Sequence, residues 1–357
     1  MQTRIDDSQR HDRAIRRLFA RHGLVWADTA DLAISRVPRG RGFSYRDAGG
    51  EPVRDPAMRD RFDGLAIPPA WRDVRIAARE ACHLQAIGLD AAGRIQRRYH
   101  PAWDDVRSVD KFFRLRRFAR ALPAIRRQVA RDLARPGLDE AQLCAIAVRL
   151  IDRGHLRPGN EASLAQHETR GATTLSVSDL RLADTRVRLE FVGKSGQAIR
   201  VDIDDRLLAR RLARLKDRCD GQLFVLDDGG RHSRIGAARL NAYIATIGHA
   251  AVSAKDFRTF DATATALWRL LHEPRPASRR ATQALLASIA RDVSARLHNT
   301  PTVARNSYIH PSVVDAWLAD ALDREALCRC RGGPLLSAPE SALSRWLSKD
   351  GIRWAIR

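Results

Sequence analysis

Over the first hundred residues apolar and polar positions alternate in short runs, and the period then lengthens. Gly42-Phe43-Ser44-Tyr45, Val74-Arg75-Ile76, His83 to Gly88 and Arg94 to Tyr99 read as short strands. Turns at Asp47-Ala48-Gly49-Gly50 and Asp90-Ala91-Ala92-Gly93 separate them, so this region predicts a small antiparallel sheet. Past Trp103 the spacing becomes helical. Phe112, Leu115, Phe118 and Leu122 form one stripe, and Leu143, Ile146, Ala147, Leu150 and Ile151 form another that stops at Gly154. From there to Leu322 the pattern is mostly helical, with one exception. Val187, Leu189 and Phe191 alternate with Arg186, Arg188 and Glu190, and Ile199, Val201 and Ile203 alternate with Arg200 and Asp202. These two runs predict a hairpin whose tip is Gly193-Lys194-Ser195-Gly196.

The pattern therefore predicts an α+β protein in four parts. Residues 1–24 are a basic lead-in, 25–108 a β-rich N-terminal domain, 109–322 a larger, mainly helical domain carrying the hairpin, and 323–357 a C-terminal extension. Trp346 and Trp354 in that extension predict that it docks rather than floats. One short element stands out near the end of the helical domain. Thr300 is a natural N-cap and Pro301 a natural first helical residue, while Pro311 biases His310 out of helical geometry. Tyr308, one of four tyrosines, thus lies on a helix of about two turns beside an exposed break.

Composition narrows the class. Hydrophobic residues make up 44% of the 357, enough for packed cores, yet 63 Lys and Arg against 42 Asp and Glu leave a net charge of +21. Such a balance points to a polyanion, nucleic acid first and an anionic membrane surface second. No apolar run reaches the length of a spanning helix, and the arginine-rich start lacks the apolar core of a signal peptide; a cytoplasmic protein is expected. Five scattered cysteines read as reduced thiols, and Cys328-Arg329-Cys330 has no second ligand pair at zinc spacing. Gly193-Lys194-Ser195 resembles the end of a phosphate-binding loop, but position 188 is arginine where that loop requires glycine. Lysine occurs only at positions 111, 194, 216, 255 and 349. A lysine kept against so strong an arginine bias invites a role that needs a tunable proton.

Arg157, Lys194, Arg258, Asn299 and Tyr308 then form a candidate set. Singly, each has an ordinary reading: two of many arginines, a solvated turn lysine, a half-buried tyrosine. Together they meet the needs of phosphodiester transesterification. A hydroxyl attacks, fixed cationic forks stabilise the non-bridging oxygens, and an acid protonates the leaving 5′-oxygen. Asn299 can add a neutral donor.

At these residues the chain resembles the bacterial, poxvirus-like type IB DNA topoisomerases. The resemblance runs from about Gly42 to Trp317. It is carried by Leu65-Ala66-Ile67-Pro68-Pro69-Ala70-Trp71, Arg157-Pro158-Gly159-Asn160-Glu161, Gly171-Ala172-Thr173-Thr174-Leu175 and Phe191-Val192-Gly193-Lys194. Lys255-Asp256-Phe257-Arg258-Thr259, Asn299-Thr300-Pro301 and Ser307-Tyr308-Ile309-His310-Pro311 complete it. It implies that Tyr308 forms a 3′-phosphotyrosyl bond, Arg157 and Arg258 clamp the scissile phosphate, Lys194 is the general acid and Asn299 bonds the phosphate. It also implies DNA contacts by Gln96, Arg98, Tyr99 and Lys255. A monomer closing as a clamp on duplex DNA in the nucleoid, without ATP, metal or other cofactor, is the expected form. Poxvirus enzymes carry histidine at the position of Asn299, which leaves neighbouring His298 as a rival phosphate contact. Ile95 and Arg97 stand where relatives usually have lysine and tyrosine.

Two other functions fit in part. Tyrosine recombinases share the fold and the Arg, Lys, Arg, Tyr logic, but usually place histidine where this chain has Asp256, and Leu-Gly-His where it has Leu297-His298-Asn299. A non-catalytic DNA-binding protein would explain the charge, though not the joint survival of the four reactive positions.

Overall fold

The computed structural model describes residues 2–219, 221–228 and 231–349. The chain divides into two compact units after Asp110.

The first unit begins with α1 (Gln2–Arg21). Its sheet contains β1 (Ile34–Arg39), β2 (Gly42–Arg46), β3 (Arg72–Ile76), β4 (Leu84–Leu89) and β5 (Ile95–Tyr99), in the order β2-β1-β3-β4-β5. Every pairing is antiparallel. Four of these strands match the alternating runs in the sequence, and β1 adds a fifth. Between β2 and β3 lies α2 (Pro56–Gly64), which the strand-like pattern did not foretell. Asp55 caps it, accepting from Ala57 N at 3.0 Å, and Phe62 turns into a core with Ile34, Tyr45, Val74, Ile76 and Ala86. The β4–β5 turn is fixed by Asp90, whose Oδ1 accepts from the backbone nitrogens of Ala92 and Arg94, both at 2.9 Å.

The long helix α3 (Trp103–Ala134) enters the second unit. Phe112, Leu115, Phe118 and Leu122 are all buried, as their spacing requires. Asp139 opens α4 (Glu140–Gly154) with a full capping box to Gln142, and His155 ends it at φ 52° in the left-handed region. After α5 (Glu161–His167) come β6 (Leu180–Leu182), β7 (Arg186–Val192) and β8 (Ala198–Asp204), a three-stranded antiparallel sheet. Its β7–β8 hairpin pairs Val187 with Ile203, Leu189 with Val201 and Phe191 with Ile199, the buried face read from the sequence.

Helix α6 (Arg206–Lys216) precedes a second hairpin, β9 (Val225–Asp228) and β10 (Arg231–Arg234), in a stretch expected to be helical. The remaining helices are α7 (Ala237–Gly248), α8 (Ala254–His272), α9 (Arg279–Leu297), the single turn α10 (Pro301–Val303), α11 (Pro311–Leu318), α12 (Arg324–Cys328) and α13 (Ala338–Lys349). Phe118 of α3 packs edge-on against Phe257 and Phe260 of α8, so α8 is a central element of this unit. Trp354 lies outside the described residues. Among the described residues no helix is long and apolar enough to cross a membrane, and no group of His, Cys, Asp and Glu side chains is arranged to hold a metal.

Candidate active site

Local rules place the tyrosine. Thr300 Oγ1 accepts from Val303 N at 3.3 Å, and Pro301 starts the turn, both as the sequence predicts. The turn then widens into a π-helical segment, Ala304–Tyr308, closed by Ile309 N donating to Ala304 O at 3.0 Å. Tyr308 is thereby the last residue of a widened turn, half-buried, with Ile309 and His310 buried behind it.

Arg258 comes from the first turns of α8. Ser253 and Asp256 form the capping box there, and Asp256 also takes a salt bridge from Arg114 Nε at 2.6 Å. Asp256, where recombinases usually carry histidine, therefore holds the start of the helix. Arg258 is only 2% exposed. Its Nη1 donates to the carbonyl of His155, its Nη2 to the carbonyl of Leu297 at 2.8 Å, and its Nε to Tyr308 Oη at 3.4 Å. The guanidinium carbon also lies 5.0 Å from the tyrosine ring centre. Two main-chain oxygens thus aim this fork before any substrate arrives.

Arg157 follows α4 on a turn packed against residues 171–174. Ala172 N donates to Arg157 O at 2.8 Å and Thr173 N to Pro158 O at 2.7 Å. Gly171 is required by this approach: a Cβ there would lie 2.7 Å from Arg157 O and 2.5 Å from Gly159 N. Arg157 Nη1 donates to the carbonyl of His298 at 3.3 Å.

Arg157, Lys194, Lys255, Arg258 and Tyr308 line one open cavity of about 340 Å³, together with Arg170 and residues of the Arg157 turn. The structure thus brings together four of the five catalytic candidates and one of the four DNA-contact candidates. Lys194 is exposed at the hairpin tip, where Ser195 takes φ 65°. Arg170 N donates to Val192 O at 2.8 Å and so ties the hairpin to the floor of the cavity.

Asn299 does not line that cavity, and its side-chain Oδ1 and Nδ2 are buried without a hydrogen-bond partner. His298, in the left-handed region at φ 51°, interacts with the backbone of Gly154. Gln96, Arg98 and Tyr99 sit on β5 in the other unit. Gln96 Nε2 donates to Asp90 at 2.8 Å and Arg98 Nη2 to Ala66 O at 2.7 Å, while Tyr99 stacks on Trp103 at 5.6 Å.

The electrostatics ease ionisation of the tyrosine. Burial opposes ionisation of the Tyr308 phenol, but Arg258, then Arg157 and Lys255, outweigh it and bring the phenol below its ordinary range. Burial likewise lowers Arg258, opposed by its contact with Tyr308.

Thr263 is the site residue that sequence reasoning missed. It is fully buried on α8, its Oγ1 lies 3.1 Å from Tyr308 O and accepts from His310 N at 3.2 Å. Nothing in the sequence separates it from nearby Thr265; only burial does.

A family model for the catalytic core of eukaryotic DNA topoisomerase I matches residues 101–322, and one for the N-terminal domain of bacterial DNA topoisomerase IB matches residues 42–90. The first match spans more than half of the chain, and the chain belongs to the DNA topoisomerase I family. With the bacterial N-terminal domain beside that core, it is a type IB DNA topoisomerase, an enzyme acting on DNA. DNA topoisomerase 1B of Acanthamoeba polyphaga mimivirus is 28% identical over 258 residues, which cover 70% of this chain and 77% of the relative.

Proposed function

We propose that this topoisomerase relaxes supercoiled duplex DNA through a covalent bond between Tyr308 and the 3′-phosphate of a nicked strand. Tyr308 Oη loses its proton to solvent and bonds to phosphorus as the bond from phosphorus to the 5′-oxygen breaks. Lys194 gives the leaving 5′-oxygen its proton, and Arg157 and Arg258 hold the non-bridging oxygens as charge builds on them. The free 5′-hydroxyl end rotates, then attacks the phosphotyrosine and reverses each step. The phosphodiester energy is kept in the tyrosyl ester, so neither ATP nor a metal ion takes part.

The observation that carries this reading is the fork of Arg258. It is aimed by two carbonyls at the phenol of Tyr308, in a cavity shared with Arg157 and Lys194. The enzyme acts as a monomer in the nucleoid, with Gln96, Arg98, Tyr99 and Lys255 contacting DNA.

The test is relaxation of a supercoiled plasmid in EDTA without ATP, wild type beside Tyr308→Phe. Relaxation by wild type alone is expected, with protein covalently attached to the 3′ end of the nick. Equal relaxation by both proteins removes Tyr308 as nucleophile, and relaxation only with added metal or ATP removes the cofactor-free mechanism.

A further inference from the structure

The family match ends at residue 322, yet the chain continues as α12 and α13 and is firmly held. Arg324 Nη2 donates to the carbonyls of Leu271 and Glu273 at 2.5 and 3.0 Å, at the end of α8. Helix α13 buries Ala342, Leu343, Trp346 and Leu347, and Trp346 meets Phe112 edge-on at 6.1 Å. These contacts dock the helix.

A second set of contacts reaches further: Glu340, whose Oε2 also accepts from Ser337 N at 2.7 Å at the start of α13, meets a cation on another helix. Arg126 of α3 stands between Glu340 of α13 and Asp152 of α4, and all five of its N–H groups are used. Nε donates to Asp152 at 2.9 Å, Nη2 to Asp152 and to Glu340 at 2.7 Å each, and Nη1 to Glu340 at 2.9 Å and to Leu335 O at 2.6 Å. The Glu340 and Asp152 side chains are 11% and 7% exposed. Burying such charges is costly, and an apolar side chain would dock the helix at less expense; what a spanned guanidinium adds is a fixed geometry.

The position fixed in this way is next to the active site. Asp152 lies in the last turn of α4, three residues before His155 and five before Arg157. His155 gives its carbonyl to Arg258, and its ring Nδ1 lies 3.5 Å from Asp261, which is itself held by Arg296 at 2.9 Å.

We infer that Glu340 is a positioning residue for strand cleavage: through Arg126 and Asp152 it fixes the end of α4, and so the His155 carbonyl that aims Arg258 and the turn that delivers Arg157. The inference rests on the roles proposed above for the two arginines. The C-terminal extension is then part of the catalytic apparatus rather than an appendage.

Single-turnover cleavage of a short duplex at saturating DNA tests this. DNA affinity is measured separately in a Tyr308→Phe background, and folding is followed by thermal melting. Glu340→Gln is expected to cleave about tenfold more slowly with affinity changed less than about twofold, and Glu340→Asp to recover most of the loss. Arg126→Lys, which keeps the charge but cannot span both carboxylates, is expected to be slow in the same way. A folded Glu340→Gln that cleaves at the wild-type rate overturns the inference, as does a loss confined to DNA affinity. If Glu340→Gln does not fold, Arg126→Lys and Glu340→Asp decide by the same criteria. Absence of cleavage by the wild type itself would instead overturn the site assignment.

Discussion

The two sides of the candidate active-site cavity are built differently. On one side Arg258 is buried, its donors occupied by the carbonyls of His155 and Leu297 and its Nε turned to Tyr308. On the other, Lys194 is exposed at the tip of the β7–β8 hairpin. A buried, hydrogen-bonded fork does not have to reorganise when phosphate arrives, which is how electrostatic stabilisation becomes efficient. A proton donor has a different requirement. It must reach the leaving oxygen and exchange its proton with solvent, and an exposed tip permits both. On the proposed roles, the contrast separates a preorganised clamp from an exposed acid within one small cavity.

Substitutions on either side can break that contrast. The largest effect is expected from Arg258→Ala, a fall in the single-turnover cleavage rate of about a thousandfold. Lysine should not rescue it, because an ammonium cannot bond both carbonyls and the phenol in one plane. The sign of the pH effect follows from the burial of Tyr308. With Arg258 gone, desolvation is offset only by the weaker pull of Arg157 and Lys255, and the phenol titrates higher. The rising limb of the pH–rate profile should then move to higher pH. An unmoved or lowered limb would show that Arg258 does not act on the nucleophile.

Lys194→Ala should cost about a hundredfold. A substrate with sulfur in place of the leaving 5′-oxygen, whose thiolate needs no proton, should restore most of that loss but none of the Arg258→Ala deficit. Equal restoration in both variants would erase the distinction between the two sides. Thr263→Val should slow cleavage about tenfold by releasing the backbone around Tyr308, with Thr263→Ser close to wild type. A slow serine variant would point to packing by the methyl group instead. The smallest effect belongs to the other unit. Arg98→Ala on β5 should leave single-turnover cleavage at saturating DNA intact and reduce the slope of log affinity against log salt by about one. An unchanged slope would remove Arg98 from the phosphate contacts.

Local signals were legible in the sequence where local physics decides the structure. The Thr300 cap, the Pro301 start, the end of α4 at Gly154 and the inward face of the β7–β8 hairpin follow from spacing and capping alone. Helix α2 did not, because its nine residues sit among strand signals and are stabilised by tertiary burial of Phe62. The β9–β10 ribbon, with its four-residue strands, was also passed over. Among the candidate and proposed site residues, Arg157, Lys194, Arg258 and Tyr308 could be singled out by chemistry and resemblance. Thr263 and Glu340 could not, since what distinguishes them is a hydrogen bond or ion pair to a distant segment, and periodicity carries no trace of one.

The anchoring of Tyr308 has a mechanical consequence. In the proposed covalent complex the tyrosine becomes a link in a DNA strand, and the rotating duplex pulls and twists on it. Tyr308 O and His310 N both meet Thr263 Oγ1, so that force enters α8. The same helix carries Arg258. On the proposed roles, a displacement of the tethered end therefore moves the phosphate together with the arginine assigned to hold it, and the torque being released does little to separate the groups that must rejoin the strand.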